Sequence, residues 1–146
     1  MRKVLTYGTF DLLHIGHLNI LRRARAIGTH LTVAISTDEF NRNFKSKSSI
    51  VPYCDRAELV RNLVCVNKVI PENSWDQKIE DVKNNNIDVF VMGHDWEGKF
   101  DFLKEYCEVV YLPRTENIST SEIKAFIKTN ARVTSPIGTV AQSTPV

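Results

Sequence analysis

The sequence predicts a single α/β domain, with helices packed on both faces of a parallel sheet. Three observations predict it. Five short apolar runs alternate with segments whose apolar residues recur at helical spacing, the pattern of repeated strand–helix–strand crossovers. Turn and cap residues stand at the junctions, Gly28 and Pro52 among them. A chain of 146 residues suits one domain with one substantial core.

"KVLTY" (3–7) reads as a buried first strand. A helix follows over about 17–27, with Leu18, Leu21 and Ala24 on one face and Gly28 as its stop. "HLTVAIS" (30–36) is the second strand, and Ser36 or Thr37 is placed to cap a short helical turn over "STDEF". A polar loop with two lysines, "NRNFKSKSSIV" (41–51), leads to Pro52, which opens a helix reaching about residue 64 with Leu59, Val60 and Leu63 turned inward. "NKVIP" (67–71) is the third strand. The helix over 74–86 starts with a Ser74/Gln77 capping box and carries Ile79 and Val82 at helical spacing. "DVFVMG" (88–93) is the fourth strand, "FDFLKEY" (100–106) a short helix and "EVVYL" (108–112) the fifth strand. Ser121 is in position to cap a last helix ending near 128. From Asn130 the chain turns to Ser, Thr and Pro without a sustained period, so a domain over 1–129 and a flexible tail over 130–146 are expected.

Right-handed crossovers favour the strand order 3-2-1-4-5, a Rossmann-like arrangement. That order sets strands one and four side by side at the switch point, where ligands bind beyond the carboxyl ends of the strands. The loop after strand one is "GTFDLLHIGH", that after strand four "GHDWEGK", and that after strand five "PRTENISTS". The three least ordinary loops of the chain therefore converge on one crevice.

Composition narrows the function. A formal charge of +2 does not make nucleic acid or a membrane surface the main partner. No apolar run is long enough to span a bilayer, and "MRKVLTYGTF" turns polar too early for an export signal. Cys54, Cys65 and Cys107 are irregularly spaced; reduced, mostly buried thiols in a cytoplasmic protein are expected.

In the crevice, Gly8 and Gly16 allow a ligand to approach the backbone, and the start of the first helix is a ready anion site. His14 and His17 add side-chain donors for phosphate oxygens, a pairing suited to a transition state that spreads charge over a phosphoryl group. Arg114, Thr115, Ser119 and Thr120 are placed to grip phosphate from the opposite side, and Lys45 and Lys47 to close over it from a mobile loop. An H-x-x-H pair also occurs at metal sites, but the flanking residues do not complete a ligand set. A structural pair of histidines at a helix start is the plain alternative.

These motifs carry a resemblance. "GTFD" followed by "HIGH" resembles the signature of the small nucleotidyltransferases, and "RTENISTS" (114–121) is similar to that of the cytidylyltransferases. With "AISTDEFN" and "VMGHDWEGKFDFL", four separated motifs over about residues 2–128 agree in order and spacing with the glycerol-3-phosphate cytidylyltransferase family. The resemblance implies transfer of CMP from CTP to glycerol 3-phosphate, giving CDP-glycerol and pyrophosphate, in the cytoplasm and for teichoic acid or a related surface polymer. Ethanolamine phosphate or another alcohol or sugar phosphate is the alternative acceptor. It places the nucleotide against Gly8, Thr9, Phe10, His14, Gly16, His17, Lys47 and Asp95, and, from the far side, Arg114, Thr115, Ile118, Ser119 and Thr120. His14, His17 and Arg114 are implied to be catalytic. Asp11, Lys45, Arg56 and Lys78 are implied on the acceptor side, Mg2+ is implied to arrive with CTP, and a homodimer is implied. Two positions depart from the pattern: Asn117, where the family usually has glycine, and His94, where an acidic residue is common.

Overall fold

The computed structural model describes residues 1–115 and 118–134, with side chains through 130. Asn117 and most of the expected tail, from residue 135 onward, lie outside the described residues. Five strands, β1 (Lys3–Gly8), β2 (His30–Ser36), β3 (Lys68–Glu72), β4 (Val89–Gly93) and β5 (Glu108–Leu112), form one all-parallel sheet in the order β3-β2-β1-β4-β5. This is the order expected from the sequence. The register aligns Gly8 with Ile35 and Gly93 with Leu112, so the carboxyl ends of the central strands open side by side.

Strand alternation divides the core into two layers. Val4, Val33, Val89 and Val91 point to one face, where Leu21 and Ala24 of helix α1 (Ile15–Ile27) and Ala57 and Val60 of α3 (Tyr53–Arg61) cover them. Leu5, Ala34, Phe90 and Met92 point to the other, against Val82 of α4 (Lys78–Asn84) and Phe100 and Leu103. A sheet buried on both faces explains why its strands read as continuous apolar runs.

Several local expectations hold in detail. Gly28 ends α1, and no side chain fits there, because a Cβ would lie 2.4 Å from the Arg2 carbonyl oxygen. Thr37 caps α2 (Asp38–Phe44) by accepting from the Phe40 N–H at 3.2 Å. The Ser74/Gln77 capping box forms, although the segment starts as a 3₁₀ turn before α4.

Others are corrected. Helix α1 begins two residues earlier than its apolar pattern shows, with His14 as its cap. Helix α3 stops at Arg61 and turns Ala57 and Val60 inward, with Leu59 on its outer face at 52% exposure. Helix α5 (Thr120–Thr134) continues past 128, and its cap is Ser119, whose hydroxyl accepts from the Glu122 N–H, not Ser121. Cys65 and Cys107 pack against the two core layers, but Cys54 is exposed.

Candidate active site

A cavity of about 430 Å³ opens at the carboxyl ends of the strands. Every site residue singled out from the sequence lines it except Arg56. The loop from β1 into α1 makes its floor. Phe10 and Leu12 both hold positive φ, 54° and 50°, a conformation that costs non-glycine residues energy and marks a loop held by its surroundings. Phe10 folds its ring back over Gly8, and a Cβ on Gly8 would lie 2.6 Å from that ring. Gly8 thus makes room for Phe10 rather than for a ligand's backbone approach.

His14 and His17 form a reciprocal cap on α1. The Gly16 N–H donates to His14 Nδ1 at 3.0 Å, and the His14 N–H donates to His17 Nδ1 at 3.2 Å. The two rings stack with centroids 3.8 Å apart, and Phe10 meets His17 edge-on at 5.3 Å. Because each Nδ1 accepts, each neutral ring carries its proton on Nε2. His14 Nε2 is buried and has no protein partner. Burial depresses the pKa of His14, with Glu122 opposing it. Burial, then the neighbouring His14, pushes His17 down to about 4 against the pull of Asp11. The site therefore presents neutral imidazoles with N–H donors, while a bound polyphosphate would favour their protonation. Gly16 is required beside them: a Cβ there would lie 2.8 Å from the His14 ring.

Across the cavity, Arg114 faces Asp95 at 3.7 Å, both well exposed. Its loop is tied to α1 by Asn19, which donates to the Thr115 hydroxyl at 3.0 Å, and by Arg23, which donates to the Pro113 carbonyl at 2.9 Å. Thr120 donates to the Asp11 carbonyl at 2.8 Å, joining α5 to the β1 loop. Ile118 packs toward Gly16, its methyl 3.3 Å from where a Cβ would stand.

The lysine loop, expected to be mobile, is pinned at both ends. The N–H groups of Lys45 and Lys47 donate to the Asn41 carbonyl, and the Asn41 amide donates to Ser49 at 2.9 Å. Asp11 accepts from the N–H groups of Ile50 and Val51 at 2.9 and 3.0 Å and pairs with Lys124 at 3.2 Å. Burial works to raise the Asp11 pKa, but those N–H groups and Lys124 outweigh it and hold the carboxyl below its usual range.

Arg56 does not reach the cavity. It is 1% exposed, and its guanidinium donates to the carbonyls of Val51, Thr9 and Ser36 and to Asp38 at 2.7–2.8 Å. It is a strut beneath the site, fixing the β1 loop to the lysine loop. His94 also points elsewhere, to Glu97 at 3.1 Å on the surface.

Among the lining residues that escape the sequence analysis are Glu72, Trp75, Trp96 and Lys124. Glu72 ends β3 and Trp75 follows it, so the cavity extends past the β1/β4 switch point to the far edge of β2. The phrase "IPENSW" held the available signal, an acid and a large aromatic at a strand's carboxyl end.

Fold and site together define a nucleotide-binding α/β protein organised around two capping histidines. Comparison with known proteins makes the class specific. The family model described as cytidylyltransferase-like matches residues 5–126. The chain is 60% identical over 124 residues to the glycerol-3-phosphate cytidylyltransferase of Bacillus subtilis, covering 85% of this chain and 95% of that protein. It is 57% identical to the enzyme of the same name from Staphylococcus aureus, covering 85% and 93%. Among solved structures, a lipopolysaccharide core biosynthesis protein from Thermoplasma volcanium superposes with a TM-score of 0.69 at 25% identity, covering 80% of this chain and 99% of that one. The chain belongs to the cytidylyltransferase-like family, and its high-identity relatives are glycerol-3-phosphate cytidylyltransferases.

Proposed function

We propose that the protein transfers CMP from CTP to glycerol 3-phosphate, giving CDP-glycerol and pyrophosphate. The observation that carries the reading is the fixed tautomer of His14 and His17, whose Nδ1 atoms are consumed by the helix cap. Both Nε2–H groups are left for the phosphate chain of the nucleotide. An oxygen of the acceptor phosphate attacks the α-phosphorus of CTP. The bond from that phosphorus to the bridging oxygen breaks, and pyrophosphate carries away the electron pair. The acceptor oxygen is already anionic at neutral pH, so the reaction needs no base to deprotonate it. The imidazole N–H groups and Arg114 meet the charge that builds on the phosphoryl oxygens.

Lys45 and Lys78 hold the acceptor phosphate in this reading, and Lys47 the nucleotide. Magnesium would neutralise triphosphate charge, and it enters with CTP. The buried carboxylates at the site are committed, Asp11 to two N–H groups and Lys124, Glu72 to Lys78. A homodimer and a cytoplasmic setting belong to the same proposal. Among the described residues, no helix is long and apolar enough to cross a membrane.

Pyrophosphate release with CTP or ATP against a panel of acceptor phosphates tests the reading. Release is expected with CTP and glycerol 3-phosphate. Preference for ethanolamine phosphate would move the error to the acceptor side, and release with ATP alone would overturn the nucleotide assignment.

A further inference from the structure

Glu72 ends β3 at the base of the cavity and is 2% exposed. One of its oxygens accepts from Lys78 Nζ at 3.0 Å, and the other lies 3.9 Å from Lys45 Nζ. The two lysines come from different elements, Lys78 from the start of α4 and Lys45 from the end of α2. Aromatic rings wall them in. Lys78 Nζ lies 4.5 Å from the Tyr7 ring centroid and 5.2 Å from that of Trp75, and Lys45 Nζ lies 5.4 Å from Phe40. Two like charges held this close in a partly dry pocket repel, and burial disfavours both. A carboxylate that spends one oxygen on each keeps them charged and convergent.

We propose that Glu72 is a positioning residue for the acceptor: its two oxygens hold Lys45 and Lys78 aimed at one point in the cavity, so that an incoming phosphate meets a preformed pair of ammonium groups. The assignment of a phosphate acceptor rests on the function proposed above. The electrostatics agree. Burial lowers Lys45 to a pKa of about 8, Lys47, Lys78 and Arg56 push the same way, and Glu72 opposes them. Without that carboxylate, Lys45 loses its proton at a lower pH and ceases to be a counter-charge for phosphate.

Glu72→Gln keeps the side chain's size and removes its charge. In steady-state kinetics with both substrates varied, the expected result is an acceptor KM raised about 10-fold or more with a CTP KM unchanged within about 2-fold. The pH above which acceptor KM climbs should move below that of the wild type. Glu72→Asp keeps the charge and withdraws it by one methylene, so it should raise acceptor KM less and leave that pH in place. If Glu72→Gln does not fold, Glu72→Asp decides alone: a rise in acceptor KM without one in CTP KM supports the assignment, and equal rises contradict it. An unchanged acceptor KM in a folded Glu72→Gln protein overturns it. So does a lower one, which would make Glu72 a competitor of the acceptor. Wild-type protein that transfers CMP to no phosphate acceptor would overturn the function instead. Calorimetric binding of inorganic phosphate, weaker in Glu72→Gln than in the wild type, would then still read the lysine pair, and equal binding would refute it.

Discussion

The ring of His14 lies almost flat on the ring of His17, centroids 3.8 Å apart and planes 23° from parallel, while the His14 N–H donates to His17 Nδ1. The pair thus caps the start of a helix, sets a tautomer and aims two donors. Replacing either histidine by alanine should lower kcat by about 10²-fold or more, the scale of losing a donor that acts on developing charge. The His17 variant should also lose stability, because the His14 N–H then has no acceptor. Pyrophosphate release and thermal melts on the same preparations separate the two effects.

Acid should expose the buried state of His17. Its pKa is about 4 in the folded protein against about 6.5 in an unfolded chain. Between these values the unfolded chain binds more protons, so stability falls as pH drops from about 6.5 toward 4. The full loss is at most about 3 kcal/mol. Asp11 and Asp38, whose carboxyls lie below their usual range, add their own loss only at lower pH. Melting at pH 7 and pH 5 checks this: His17→Asn should lose less of its Tm between the two than the wild type does.

Two glycines should fail differently. A methyl at Gly16 meets the His14 ring at 2.8 Å, and one at Gly28 meets the Arg2 carbonyl at 2.4 Å. Gly16→Ala should displace the imidazole and cut kcat while the fold survives. Gly28→Ala should cost about 1–3 kcal/mol of stability through overpacking, with kinetic constants near those of the wild type at a temperature where it remains folded. Paired melts and kinetics distinguish the two.

Arg56 should behave as a strut. Removing it strands carbonyl acceptors on Thr9, Ser36 and Val51 and leaves Asp38 without its ion-pair partner. Arg56→Ala should lose about 3–5 kcal/mol, the cost of breaking a buried charged network. Arg56→Lys should recover little, since an ammonium cannot reproduce a planar fork. Urea unfolding measures both.

The sheet was legible because its central strands are buried on both faces and so spell apolar runs, as in "HLTVAIS" and "VFVMG". The crevice followed from strand order, and most of the cavity-lining residues of the β1 and β5 loops from their motifs. What escaped depends on contacts far apart in sequence. Nothing local marks Arg56 as a strut, since its four acceptors lie 5 to 47 residues away. Leu59 sits at helical spacing from Leu63, but α3 ends at Arg61 and its buried face runs through Arg56, Ala57 and Val60. Ser119 and Ser121 offer the same hydroxyl. Helix α5 begins between them, with Thr120 held by the Asp11 carbonyl 109 residues away, and this leaves the cap to Ser119. Nothing local marks Glu72 either, because its partner Lys78 reaches it from the start of α4.

Transfer of CMP to the phosphate of glycerol 3-phosphate is read most directly by phosphorus NMR of the protein with magnesium, CTP and glycerol 3-phosphate. The predicted result is loss of the three CTP resonances as two coupled diphosphate-ester signals and free pyrophosphate grow together, with no such change in His14→Ala over the same time. Conversion of CTP to CDP or CMP without the coupled pair, or no change at all, would contradict it.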